Sequence, residues 1–212
     1  MADFEEMGNA VIKGDAETAD DLTRKAVDEG VEPLEIINQG LIGGMDVVGK
    51  RFKAGDMFVP EVLMSAKAMK AGMNIVRPLL LEGDMPSAGK VLLGTVSGDL
   101  HDIGKNLVGM MMESGGLDIV NLGTDTSPEE FVEAVKEHKP DVIGMSALLT
   151  TTMLSMKDTI EVLEEEGLRD SVKIIIGGAP VTQDFADEIG ADGWAPDAAA
   201  AKDLAFELID KN

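Results

Sequence analysis

The sequence predicts an α/β protein in two parts, a four-helix bundle followed by a doubly wound parallel sheet of five strands. Three observations carry this prediction. Apolar residues recur every three to four positions through residues 1–88, the period of helices with one buried face. The composition then changes to Gly83-Asp84-Met85-Pro86-Ser87-Ala88-Gly89, a linker. Beyond it, short apolar runs alternate with amphipathic stretches, the pattern of strands buried on both faces between covering helices.

In the first part, Asp15 stands at an N-cap ahead of Ala19, Leu22, Ala26 and Val27, and Gly30 stops that helix. Pro33 suits the first turn of the next helix, whose buried face is Leu34, Ile37, Leu41, Met45 and Val48. Gly43 and Gly44 cost that helix about 1 kcal/mol each against Ala, so either a neighbour comes close or the helix bends. Ala54-Gly55-Asp56 turns the chain, and a helix from near Pro60 carries Leu63, Met64, Ala68, Met69 and Met73 as far as Arg77-Pro78. Met57, Met64, Met69 and Met73 are expected in the core, where flexible thioethers fill gaps.

In the second part, strands are expected at Val91–Val96, Leu117–Leu122, Val142–Ser146, Val172–Ile176 and, weakly, Gly193-Trp194. Helices are expected over 104–115, 128–138, 152–167, 181–189 and 196–210. Such an alternation is a flavodoxin-like arrangement with helices on both faces of the sheet.

Composition narrows the chemistry. With 18 Lys+Arg against 40 Asp+Glu the formal charge is −22, shared as −7 over residues 1–88 and −15 over residues 89–212. A surface this acidic repels phosphate backbones and anionic lipid, so neither nucleic acid nor membrane is expected as a partner. No apolar run approaches the span of about 20 residues that crosses a bilayer. The acidic start, Met1-Ala2-Asp3-Phe4-Glu5-Glu6, is no secretory signal, so a soluble cytoplasmic protein is expected. There is no cysteine, and His101 and His138 are the only imidazoles. Disulfides, thiolate chemistry and a zinc site built on Cys or several His are thereby excluded.

Ligands of open α/β sheets bind beyond the carboxyl ends of the strands. Three polar, glycine-bearing segments fall there: Ser97-Gly98-Asp99-Leu100-His101-Asp102-Ile103-Gly104-Lys105-Asn106, then Ser146-Ala147-Leu148-Leu149-Thr150-Thr151-Thr152, and Gly177-Gly178-Ala179-Pro180. Many such residues only make turns and caps. His101 differs because Asp99, two residues earlier, is placed to hold one ring nitrogen while the other points outward, as behind a metal-ligating histidine. His138, at a helix C-terminus, needs no role beyond a cation near the negative helix end.

The set Asp99-x-His101-x-x-Gly104, then 41 residues, Ser146-x-Leu148, then 28 residues and Gly177-Gly178 resembles the signature of the cobalamin-binding domain. The first 88 residues, above all Phe52-Lys53-Ala54-Gly55-Asp56-Met57-Phe58-Val59-Pro60-Glu61, resemble the helical cap before that domain in methionine synthase and in corrinoid proteins of anaerobic methyltransferase systems. Residues 144–153 and 190–198 are most similar to the methylamine-type carriers.

The resemblance implies a cap over residues 1–88, covering the upper face of the corrin, and a Rossmann-like cobalamin domain over residues 89–212. It implies a cobalamin or related corrinoid, in methyl-Co(III), Co(I) and Co(II) forms, with His101 as the lower axial ligand to cobalt. Asp99 would hold the imidazole, and Thr152 would extend the pair as a proton relay in place of a serine. Gly98, Leu100, Asp102, Leu148 and Ala198 would border the cofactor, while Gly104, Gly177 and Gly178 would leave room for its nucleotide tail. Ser146 and Thr150 would hydrogen-bond that tail. Phe52 and Val59 would cover the methyl-bearing face, and residues 83–89 would be the hinge that lets the cap move.

The activity so implied is a methyl shuttle, a component of a methyltransferase system rather than a complete enzyme. Its expected partners are a substrate-specific methyltransferase, an acceptor methyltransferase using tetrahydrofolate or a thiol, and a reductive activase, all as separate chains. Methylated or quaternary amines are the preferred donors, with methanol and aryl methyl ethers behind them. The alternatives are the cobalamin subunit of an adenosylcobalamin-dependent mutase, a cobalamin-dependent sensor, and a receiver-type domain without corrinoid.

Overall fold

The computed structural model describes residues 3–80 and 88–210, and the chain forms two compact units, Met1–Pro86 and Ser87–Asn212. Of the expected hinge, residues 83–87 lie outside the described residues.

The first unit is built from α1 (Phe4–Lys13), α2 (Ala16–Asp28), α3 (Pro33–Glu35), a π-helical segment (Ile36–Ile42), α4 (Gly43–Lys53), α5 (Val59–Val76) and a 3-10 turn (Arg77–Leu79). Because the backbone stays helical at Ile36 and Gly43, α3, the π segment and α4 make one rod, and the unit is a four-helix bundle. Asp3 and Asp15 cap α1 and α2 by accepting from the backbone N–H of Glu6 and Thr18, at 2.9 and 3.1 Å. Met7, Val11, Ile36, Leu41, Met45 and Val48 form the core.

Of the two expectations for the paired glycines, the close neighbour is met. The widened π turn precedes them, and α1 lies against Gly44, where a Cβ would come within 2.8 Å of Gly8 O and 2.9 Å of Val11 Cβ. Of the four methionines assigned to the core, Met57 and Met69 are buried and Met73 is half-buried. Met64 is 56% exposed, a correction to that reading. On the opposite side of α5, Val62, Ser65, Ala66 and Met69 already fill the buried stripe.

The second unit runs β1 (Lys90–Val96), α6 (Ile103–Ser114), β2 (Asp118–Thr126), α7 (Pro128–His138), β3 (Val142–Ser146), α8 (Leu154–Glu165), β4 (Lys173–Gly177), α9 (Gln183–Ile189), β5 (Gly193–Ala195) and α10 (Ala198–Asp210). All neighbours are parallel, in the order β2-β1-β3-β4-β5. The fold class is the one the sequence predicts. Several boundaries differ by a residue or two, and two differences bear on the site. Strand β2 continues to Thr126 rather than ending at Leu122, because its register against β1 shifts twice and the strand carries on past the shifts. Residues 150–153 form a turn, so α8 begins at Leu154 rather than at 152.

Alternation along the strands sends Leu92, Val96, Ile143, Met145, Ile174 and Ile176 to one face, against Phe131 of α7 and Met156 and Ile160 of α8. Val91, Leu93, Val142 and Ile175 face α6 and α10 on the other. Trp194 packs against the first cluster, its buried Nε1 without a hydrogen-bond partner among the described residues. The chain leaves β1 toward β2 and returns across it to β3, so the loops after β1 and β3 diverge and open a crevice between them. Among the described residues, no helix is long and apolar enough to cross a membrane.

Candidate functional site

The crevice between the loops after β1 and β3 is organised by one carboxylate. Asp99 is fully buried. Its Oδ1 accepts from the His101 backbone N–H at 3.0 Å and lies 2.7 Å from His101 Nδ1. Its Oδ2 accepts from Leu148 N at 2.7 Å, Leu149 N at 3.3 Å and Thr152 Oγ1 at 2.8 Å. Burial pushes the carboxyl toward protonation, but the donors from His101, Leu148 and Thr152 together outweigh it and hold its pKa well below the usual carboxylate range. Asp99 is therefore an anion that joins the two loops.

An ionised acceptor calls for a proton on Nδ1, which in the neutral imidazole leaves the lone pair on Nε2. Thr95 Oγ1 donates to His101 O at 2.9 Å, so backbone and ring are both anchored. The His101 side chain is 52% exposed and Nε2 has no partner among the described residues. Beside it, Leu100 and Ile103 are each 72% exposed, and Leu148 and Leu149 each 43%. A lone, oriented imidazole nitrogen amid open apolar side chains suits a metal ion that brings its other ligands in a large apolar framework.

The remaining predicted residues divide by environment. Gly104, in the first turn of α6, faces open space: a Cβ there would meet nothing within 4 Å. At Gly177 a Cβ would lie 3.2 Å from Ala195 O. Gly178, at φ 128°, is required by the chain itself, since a Cβ would overlap the Ala147 carbonyl oxygen. Gly98 turns the loop at φ 79° with Thr152 Cγ2 3.4 Å from the Cβ position. Asp102 accepts from Asn106 Nδ2 at 2.9 Å. Ser146 ends β3 half-buried and pairs with Gly177, so strand alternation puts both on the α6/α10 face. Thr150 is exposed in the turn, and Ala198 is buried at the start of α10.

Phe52 and Val59 belong to the first unit, where both are half-buried; Phe58, between them, is 69% exposed. The sequence reading missed Thr95 and Leu149 as members of this site. For Thr95 a signal existed: a hydroxyl inside an apolar strand, near its carboxyl end, asks for a partner beyond it. Leu149 acts through its backbone and left none.

Two families match, both described as B12 binding domain, one over residues 89–202 and the other over residues 3–77. A corrinoid protein of Desulfitobacterium hafniense is 47% identical over 214 aligned positions, covering 100% of this chain and 99% of the relative. A dimethylamine corrinoid protein of Methanosarcina barkeri is 46% identical, covering 97% of each. Among solved structures, the methanol:cobalamin methyltransferase complex of Methanosarcina barkeri contains a chain that superimposes with a TM-score of 0.87 at 32% identity, covering 99% of this chain and 80% of that one.

Proposed function

The chain belongs to the B12-binding corrinoid proteins, and on that premise we propose that it is a methyl carrier, charged by one methyltransferase and discharged by a second. When bound, the corrinoid supplies a cobalt centre that takes up and gives up a methyl group. Everything else falls to the residues of this chain.

The observation that carries the reading is the Asp99–His101 pair at the switch point of the sheet. Nε2 of His101 would hold the cobalt, with the buried Asp99 anion fixing the direction of the ring. Thr152 Oγ1 lies 2.8 Å from Asp99 Oδ2 and 3.0 Å from Leu149 O, and its single proton serves one acceptor at a time. A rotation of that hydroxyl changes how firmly Asp99 is held without moving a heavy atom, which suits Thr152 to a proton relay. Leu100, Leu148, Gly98 and Ala198 border the corrinoid. Gly104 leaves space for its nucleotide tail, with Ser146 and Thr150 as polar contacts and Gly177 along the same face. Phe52 and Val59, in a cap over residues 1–88, keep water from the reactive face.

The preferred donor is a methylated or quaternary amine, supported by the similarity to dimethylamine corrinoid proteins along 97% of the chain. Methanol is the second reading, favoured by the likeness to a chain of the methanol complex. The partners are a substrate-specific methyltransferase, an acceptor methyltransferase using tetrahydrofolate or a thiol, and a reductive activase.

Purification with cobalamin, followed by visible spectroscopy, tests the assignment. Wild-type protein should bind cobalamin with a nitrogen below the cobalt, and His101→Ala should lose that spectral form while keeping the fold. An unchanged spectrum in His101→Ala overturns the ligand assignment, and failure of the wild type to bind overturns the whole reading. Methyl transfer from dimethylamine or methanol, each with its own methyltransferase, then decides the donor.

A further inference from the structure

Edge strand β2 does more than flank β1. Its register against β1 shifts between Leu93 and Gly94 and again between Gly94 and Val96, which bends the strand at Asn121–Thr126. The bend carries Gly123 at φ 89° and Asp125 at φ 55°. A non-glycine residue rarely enters that region, and aspartate does so mainly where its short side chain finds a local partner. The partners here belong to the site. Asp125 Oδ1 accepts from Gly98 N at 2.7 Å, and Asp125 N donates to Asp99 O at 3.0 Å.

The far side of the same loop is tied to the same bend. Buried Lys105 donates from Nζ to Asn121 Oδ1 at 2.6 Å and to Asn106 Oδ1 at 3.0 Å, and Gly123 N also donates to Asn121 Oδ1 at 3.0 Å. Asn106 Nδ2 then reaches Asp102 at 2.9 Å. His101 thus lies between two anchors, residues 98–99 and residues 102–106, both fastened to β2.

We propose that Asp125 is a positioning residue for the axial nitrogen of His101. By clamping Gly98 and Asp99 to the bend of β2, it fixes where Nε2 points before any cofactor arrives. The proposal rests on reading His101 as the axial ligand. Its chemistry needs the carboxylate oxygen as an acceptor and a backbone willing to sit at positive φ.

Asp125→Gly separates the two requirements, because glycine accepts the backbone and lacks the oxygen; Asp125→Asn keeps both. In the chain without cofactor, amide exchange at Gly98 should quicken about tenfold in Asp125→Gly and stay near wild type in Asp125→Asn. With cobalamin added to the full chain, Asp125→Gly should bind about tenfold more weakly and show less of the nitrogen-ligated spectrum, the lower end of what losing a ligand-orienting contact costs. Asp125→Asn should restore both. Asp125→Ser, whose hydroxyl is too short to span the gap, is read in the same way should the glycine variant prove unstable. Wild-type exchange and wild-type cobalamin spectra in Asp125→Gly and Asp125→Ser overturn the proposal while leaving the methyl-carrier reading intact. If His101→Ala keeps the wild-type spectrum, the axial reading has failed, and the positioning role fails with it.

Discussion

The loop after β1 and the start of α5 both leave large apolar side chains in the open, Leu100 and Ile103 in one and Phe58 in the other. They are held by different means. The β1 loop closes on a buried anion, with Asp99 accepting from both loops at the switch point and Thr95 gripping His101 from below. The start of α5 is held by half a capping box, Phe58 N donating to Glu61 Oε2 at 2.8 Å, and by the burial of Met57 next door. Hydrogen bonds to a charge fix an atom in direction, whereas a capped helix end offers a surface. One region can aim a single nitrogen; the other presents an apolar surface.

Asp99→Ala is the hardest blow to that contrast. It leaves the backbone N–H groups of His101 and Leu148 without their acceptor and should cost about 3–5 kcal/mol, read as a fall in urea midpoint. Gly178→Ala strikes the same crevice through the backbone, and the overlap with Ala147 O at φ 128° should cost about 3 kcal/mol in the same assay. Acid offers a milder test. Because Asp99 has its pKa lowered from an ordinary 3.8, its contribution is complete above that value and is lost as pH falls further; Asp99→Asn should flatten the acid limb of a Tm–pH curve. Thr152→Val removes one donor and should cost about 1 kcal/mol, with a shifted pH dependence of the cobalamin spectrum if the relay operates. Phe58→Ala should change stability by less than about 0.5 kcal/mol. A loss above about 2 kcal/mol there would show that α5 is braced like the β1 loop.

Legibility in the sequence followed the reach of each interaction. Period revealed the bundle and the alternation of strands and helices in the sheet, because burial writes a pattern into neighbouring residues. Asp99 and His101 were legible for the same local reason, two residues apart on one loop. Thr152 stands 53 residues from Asp99, and its place in the site came from family resemblance rather than from spacing. Asp125 left still less trace: its role depends on a bulge that extends β2 past Leu122, and a register shift has no signature in one strand alone. Leu149 reaches Asp99 through its N–H, which any residue but proline would supply. Met64 went wrong because apolar spacing along α5 continues onto a side that is mostly exposed among the described residues.

Trp194 has an optical consequence. It is the single tryptophan of a chain without tyrosine, and it lies in β5 against the cluster beneath α7, α8 and α9. Fluorescence excited at the red edge of the spectrum therefore reports on the second unit alone, while circular dichroism reads helices in both. Two melting curves from one sample would show whether the bundle and the sheet come apart together or in turn. With so little near-ultraviolet absorption of its own, the polypeptide also leaves that window almost clear for any bound chromophore.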